Sequence, residues 1–180
     1  MNEPFSIVIL TGSPTRPSRT VGLAQVVEQR LAREGFRVRT LHVRELPAQA
    51  LLHADFNDPQ IKEAIAVVEQ ADGVVVASPV YKAAYSGALK AFIDLFPQFG
   101  LRGKVVFPLL TGGTLAHVLA LDYAVRPMLQ SLDPKLIVGG LFVLDKAITL
   151  SEAGVELDPE VAARLETVTQ TFIDGLRAHG

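Results

Sequence analysis

Apolar and polar positions follow one another in blocks along this chain, and the blocks repeat with two different periods. Residues 6–10 form a short continuous apolar run, the pattern of a buried strand. A polar stretch follows, and residues 21–34 then read as a helix closed by Gly35. Residues 36–43 alternate apolar with polar and predict a second strand, exposed on one side. Residues 44–58 carry no period and read as irregular, with Pro47 and Pro59 as breakers; Asp58-Pro59 opens a helix through residue 70. Residues 72–79 are a β-branched apolar run, typical of a strand covered on both faces. Residues 80–86 read as a loop, and 87–95 as a helix stopped by Pro97 and Gly100. Residues 103–110 predict a fourth strand, in which Pro108 demands a local irregularity. After an exit loop at Thr111-Gly112-Gly113-Thr114, residues 116–132 predict a helix that contains Pro127. Residues 135–144 predict a fifth strand, 149–157 a polar connection, and 159–178 an amphipathic helix capped by Asp158-Pro159.

Strands that alternate with helices imply an α/β fold, a parallel sheet with helices on both faces. Right-handed crossovers leave few topologies, and five strands point to a flavodoxin-like order, 2-1-3-4-5. In such sheets ligands bind beyond the carboxyl ends of the strands, where the order switches between strands 1 and 3. The loops after strands 1, 3 and 4 are therefore expected to converge. The length of 180 residues suggests one domain over 1–180.

The first of these loops is Leu10-Thr11-Gly12-Ser13-Pro14-Thr15-Arg16-Pro17-Ser18-Arg19-Thr20. Gly12 allows a tight exit from the strand. Ser13, Ser18 and Thr20 offer hydroxyls, Arg16 and Arg19 offer guanidinium groups, and Thr20 or Ser18 is the candidate helix cap. Hydroxyls, positive charge and free helix N–H groups together make an anion site, most naturally for phosphate. An ordinary strand-to-helix turn with a good cap is the alternative. The nucleoside-triphosphate loop G-x-x-x-x-G-K-[ST] is absent, since Gly100-Leu101-Arg102-Gly103-Lys104-Val105 has the wrong spacing and no hydroxyl. The dinucleotide fingerprint G-x-G-x-x-G is absent too. A loop rich in serine and arginine suits a terminal monophosphate, and flavin mononucleotide (FMN) is the obvious candidate.

Composition narrows the field. With 49% hydrophobic and 20% charged residues there is enough apolar material for a two-sided core. A formal net charge of −2 argues against a nucleic-acid surface and mildly against an acidic electron carrier. The chain has 0 cysteines, which removes disulfides, thiol nucleophiles and cysteine-held metals, and fits a cytoplasmic protein. Met1-Asn2-Glu3-Pro4 lacks the pattern of a signal peptide. No apolar run approaches the ~18 residues that span a bilayer, so no membrane is expected.

The loop after strand 3, Ser78 through Gly87, holds Tyr81 and Tyr85. Pro79 stiffens its exit, small residues keep backbone accessible, and Lys82 adds positive charge. An isoalloxazine ring needs a flat apolar contact and backbone donors, which this loop can supply; tyrosines packed on the next helix are the alternative. Ser86 is also a candidate cap for the helix beginning at Gly87. Thr111-Gly112-Gly113-Thr114 brings backbone close to whatever lies there. His117 follows, and His42, His53 and His179 show no ligand spacing with it, so no metal is expected. Tyr123, with Pro127 one turn later, predicts an irregular helix.

Three blocks carry a resemblance. They are Gly12-Ser13-Pro14 with Ser18-Arg19; Pro79-Val80-Tyr81-Lys82-Ala83-Ala84-Tyr85-Ser86-Gly87-Ala88-Leu89-Lys90; and Thr111-Gly112-Gly113-Thr114 leading through Ala116-His117 to Asp122-Tyr123-Ala124. Together they resemble the NADPH-dependent FMN reductase family, most nearly its alkanesulfonate-utilisation members, the reductase halves of two-component flavin-dependent monooxygenases. The likeness covers nearly the whole chain. It implies that Ser13, Ser18, Arg19 and Thr20 hold the FMN phosphate, with Arg16 beside them. Relatives often carry arginine directly after Gly-Ser-Pro, where this chain has Thr15. It implies that Pro79, Val80, Tyr81 and Lys82, with Thr111, Gly112 and Gly113, line the ring, and that Ser86 belongs to the same site. Tyr123 matches a tyrosine in a helix widened by one inserted residue, at a tetramer interface linked to flavin exchange; an ordinary packed tyrosine is the alternative. A homo-oligomer, dimer or tetramer, is implied.

The expected activity is hydride transfer from NADPH to FMN, with no side chain acting as nucleophile. Reduced FMN would leave for a partner monooxygenase in sulfonate desulfonation. Arg16, Arg19 or Arg102 is the candidate for the NADPH 2′-phosphate. The rivals are a quinone or azo reductase that retains its flavin, a flavodoxin-like electron carrier, and a flavin-free regulatory module. The last, if of receiver type, needs an acidic cluster that Thr11-Gly12-Ser13 lacks.

Overall fold

The computed structural model describes residues 4–179; Met1-Asn2-Glu3, on which the reading of no signal peptide rests, lie outside the described residues. Strand β1 (Ser6–Thr11) leads into helix α1 (Arg19–Arg33) and strand β2 (Arg37–His42). A short 3-10 turn, Val43–Glu45, and helix α2 (Ala48–Leu52) occupy the stretch expected to be irregular; the run Ala48-Gln49-Ala50-Leu51-Leu52 has good helix formers but is too short to show a period. Helix α3 (Pro59–Glu69) is capped by Asp58, whose carboxylate accepts from Gln60 and Ile61 N–H. Strand β3 (Gly73–Tyr81) runs two residues further than its apolar pattern, and β4 (Ala84–Tyr85) folds back antiparallel onto Val80 and Tyr81. The expected loop is thus a hairpin, turned by Lys82 (φ 50°) and Ala83 (φ 64°) in the left-handed region. Helix α4 (Gly87–Ile93) and strand β5 (Val105–Gly112) follow.

The predicted 116–132 helix is three pieces: a 3-10 turn Leu115–His117, a π-helical turn Leu121–Val125 and helix α5 (Arg126–Gln130). The predicted fifth strand is two, β6 (Leu136–Ile137) and β7 (Leu141–Leu144). The polar connection is an antiparallel hairpin, β8 (Ile148–Ser151) with β9 (Gly154–Leu157), and helix α6 (Pro159–His179) follows it. Leu150 and Val155 of that hairpin lie on α1 over Gly22, where an added Cβ would sit 2.6 Å from Leu150 Cδ2, so a side chain there requires the Leu150 tip to move aside.

The main sheet has the order β2-β1-β3-β5, with β6 and then β7 on the far edge of β5, all parallel. This is the flavodoxin-like order expected, with the fifth strand divided. Alternate residues of each strand face opposite sides. Val8, Leu10, Val74 and Val76 pack with Phe92 of α4 and Leu129 of α5 on one face. Ile7, Ile9, Val75 and Phe107 pack with Leu23 of α1 and Phe172 of α6 on the other. Burying a side chain of this size contributes about 1.5–3 kcal/mol. No described helix is long and apolar enough to cross a membrane.

Pro108 explains the division of the last strand. On one side it pairs with Val76 of β3. On the other it has no N–H to donate. Val106 is in register with Ile137, whereas Leu109 is in register with Leu141, so the partner gains one residue between them. By the first register Pro108 N faces Val138 O. That carbonyl accepts instead from Arg126 Nη2 at 3.1 Å, while Arg126 Nε donates to Asp122 at 2.9 Å in the π-helical turn.

Candidate functional site

The loops after β1, β3 and β5 meet at the carboxyl end of the sheet, as the switch-point rule requires. Gly12 N–H donates to Ala77 O at 2.8 Å, which carries β1 pairing one step past the strand. Ser86 Oγ then donates to Gly12 O and accepts from Leu89 N at 3.1 Å. One hydroxyl therefore caps α4 and ties it to the first loop. Ser86 N–H donates to Ser78 Oγ at 2.9 Å, so the loop after β3 closes on itself. Gly12 has no positive φ; its need is for space, because a Cβ would lie 2.6 Å from Leu89 Cβ.

Ser18 caps α1 and accepts from Val21 N at 3.2 Å. The first intrahelical bond is Gly22 N to Ser18 O at 3.0 Å, which leaves the N–H groups of Arg19 and Thr20 ahead of the helix ladder. Thr20 is not the cap. Its buried hydroxyl bonds Thr111 Oγ1 at 2.6 Å and so locks the start of α1 to the end of β5. Arg19 Nε donates to Ile148 O at 3.2 Å, which fixes the guanidinium against the β8 hairpin.

A cleft of ≈ 150 Å³ lies among these groups. Ser13, Ser18, Arg19, Thr20, Pro79, Val80, Tyr81, Thr111 and Gly112 line it, together with Thr15, Pro17 and Asp145. Arg16, Lys82, Ser86 and Gly113 are not among its lining residues. Arg16 is exposed and paired with Glu45. Lys82 stands exposed at the hairpin tip. Ser86 is 1% exposed, with its hydroxyl committed as described. Gly113 is at the rim, its Cβ direction 3.9 Å from Asp145 Oδ2. Arg102 precedes β5 at the opposite end of the sheet, paired with Asp133 and stacked on Phe99. Val105 to Thr111 spans about 20 Å at ~3.3 Å per residue, so Arg102 is removed as a phosphate partner at this cleft.

Asp145 is the lining residue that the sequence does not single out: it directly follows the predicted fifth strand, whereas the switch-point rule points to the loops after strands 1, 3 and 4. Behind the first loop, Thr11 Oγ1 bonds His42 Nδ1 at 2.7 Å, and burial holds the His42 imidazole below its ordinary pKa. Arg44 supports the loop from the same side by donating to Thr15 O.

Tyr123 lies elsewhere. It is 80% exposed on the π-helical turn, beside a groove of ≈ 550 Å³ shared with Tyr85 and Met128. The widened helix implied by the resemblance is present. Leu115, Val118 and Leu119 extend the exposed apolar surface towards the loop after β5.

The sequence profile described as NADPH-dependent FMN reductase matches residues 5–149. A protein of Escherichia coli (strain K12) named FMN reductase (NADPH) is 41% identical over 172 residues, 94% of this chain and 89% of its own. A protein of the same name from Pseudomonas putida (strain KT2440) is 40% identical, covering 92% of this chain and 85% of its own. Among solved structures, an NADH:FMN oxidoreductase (EMOB) in its apo form superposes with a TM-score of 0.85 at 43% identity, over 93% of this chain and 88% of that one.

Proposed function

The chain belongs to the NADPH-dependent FMN reductase family, and from that premise we propose that it takes FMN into the cleft by the phosphate, as an exchangeable substrate, and passes it on reduced. The observation that carries this reading is the donor set at the start of α1. Two N–H groups ahead of the helix ladder, the Ser13 and Ser18 hydroxyls and the Arg19 guanidinium converge on one small cleft, which is the chemistry a phosphate monoester requires. Thr20 and Thr111 brace one another through a single hydroxyl–hydroxyl bond, and whichever of the two accepts keeps an O–H to offer the phosphate. Pro79, Val80, Tyr81 and Gly112 supply the flat wall and close backbone for the ring. Bound FMN supplies the hydride-accepting chemistry, with NADPH as donor.

The reduced flavin is proposed to serve a partner FMN-dependent monooxygenase in sulfonate desulfonation. Tyr123 and the apolar surface around it are proposed as the face on which copies of the chain assemble, as a dimer or tetramer, and through which flavin exchange is linked to assembly.

The test is NADPH oxidation by apoprotein as FMN is titrated, followed at the nicotinamide absorbance with oxygen as acceptor. The expected result is saturation in free FMN at concentrations well above that of the protein. Saturation at one FMN per chain would favour the flavin-retaining quinone or azo reductase. No oxidation would return the chain to the electron carriers.

A further inference from the structure

Asp145 is the one acidic residue among those lining the cleft, as Arg19 is the one basic residue. Its carboxylate points across the rim of the loop after β5, with Oδ2 3.9 Å from the Cβ direction of Gly113. Arg19 does not neutralise it: the two form no ion pair, and Arg19 Nε is held by Ile148 O. Among the described residues no hydrogen bond or ion pair engages the Asp145 carboxylate. A cleft made to receive a dianion thus has a formal charge of zero. An unpaired carboxylate facing a phosphate opposes it, because the two charges share a partly dewatered space.

We propose that Asp145 is a release element, a fixed negative charge that weakens the hold on the FMN phosphate and keeps the flavin exchangeable. The proposal rests on the reading of the cleft as the FMN site. It explains how a site with a capped helix end, two serines and an arginine avoids retaining its ligand. The N–H groups and hydroxyls select the phosphate by geometry, while Asp145 cancels the electrostatic gain that Arg19 would otherwise give. Asp145 is a positioning residue in this sense; it acts through the field at the phosphate and transfers nothing.

The experiment is flavin fluorescence quenching on apoprotein with two ligands, FMN and riboflavin, which differ only in the phosphate. Asp145→Asn keeps the side-chain shape and removes the charge. At low ionic strength it should lower the FMN dissociation constant about fivefold or more, and change that of riboflavin less than about twofold. At about 0.5 M salt the FMN difference should shrink to about twofold, because screening then acts within the cleft. Asp145→Glu retains the charge and should bind both ligands as the wild type does. An FMN affinity unchanged or weakened in Asp145→Asn overturns the proposal, the second outcome marking Asp145 as a hydrogen-bond acceptor for the flavin. Equal changes for FMN and riboflavin also overturn it, since a structural role would move both. Wild-type protein that quenches neither ligand refutes the flavin reading itself, a result distinguishable from all of these.

Discussion

Gly12→Ala tests whether the first loop is placed by the close approach of its backbone to α4. The added Cβ would lie 2.6 Å from Leu89 Cβ and 3.0 Å from Ser86 Oγ. Carbon atoms in contact are about 3.5–4.0 Å apart, so either the loop or the first turn of α4 must move by about 1 Å. Neither has slack. Leu89 is 0% exposed and presents its Cβ, not a flexible tip, while Ser86 is bonded to both Gly12 O and Leu89 N. Overpacking of this kind costs about 1–3 kcal/mol. Loss of the Ser86–Gly12 bond adds about 0.5–1.5 kcal/mol. A total of about 2–4 kcal/mol lowers the melting temperature of a chain this long by about 5–15 °C. Ser13 moves with the loop, so half-saturating FMN should rise about tenfold in the NADPH oxidation assay. Gly87→Ala is the control: at the first position of α4 its Cβ meets nothing within 4 Å, and it should melt within about 1 °C of the wild type or slightly above it. A Gly12→Ala protein with wild-type melting and wild-type FMN saturation would refute the argument, because close packing would then not be what this glycine provides.

Arg19→Glu should raise the FMN dissociation constant about 10- to 100-fold by fluorescence titration, whereas Arg16→Glu, whose side chain is outside the cleft and paired with Glu45, should change it less than about threefold. The folded pKa of His42 is depressed by burial from 6.5, so the native state binds fewer protons than the unfolded chain below that pH. The stability that neutral His42 contributes is therefore complete above pH 6.5 and is lost as the pH falls from there through the folded value; urea midpoints measured against pH should fall more steeply below 6.5 for wild type than for His42→Gln, and parallel profiles would contradict this. Arg126→Met removes the donor to Val138 O and should cost about 1–2 kcal/mol by urea unfolding; adding Pro108→Ala restores an N–H facing that carbonyl and should recover part of the loss.

What could be read from the chain alone is what depends on neighbours in sequence. The apolar runs of β1, β3 and β5, the Asp58 and Ser86 caps and the Gly35 stop are local signals, and the strand order follows once strands and helices alternate. What escaped depends on partners distant in sequence. Ser86 reads as a cap or a ligand until Gly12 O is placed beside it, and Thr20 as a cap until its hydroxyl is found on Thr111 Oγ1 rather than on a helix N–H. The hairpin at Lys82 and Ala83 uses left-handed backbone without glycine, so no turn signal marks it. Pro108 shows both halves of the matter. Its missing N–H announces that some strand must be irregular. The chain resolves the defect on the partner strand, by one added residue near Gly140, where a Cβ would lie 2.7 Å from Pro108 O and 2.7 Å from Leu121 Cδ1. The replacement donor comes from Arg126, which also holds Asp122 in the π-helical turn. The turn that presents Tyr123 to solvent is thereby bonded to the place where the sheet lacks a hydrogen bond, so an irregularity in the core and an exposed aromatic on the surface are parts of one structure.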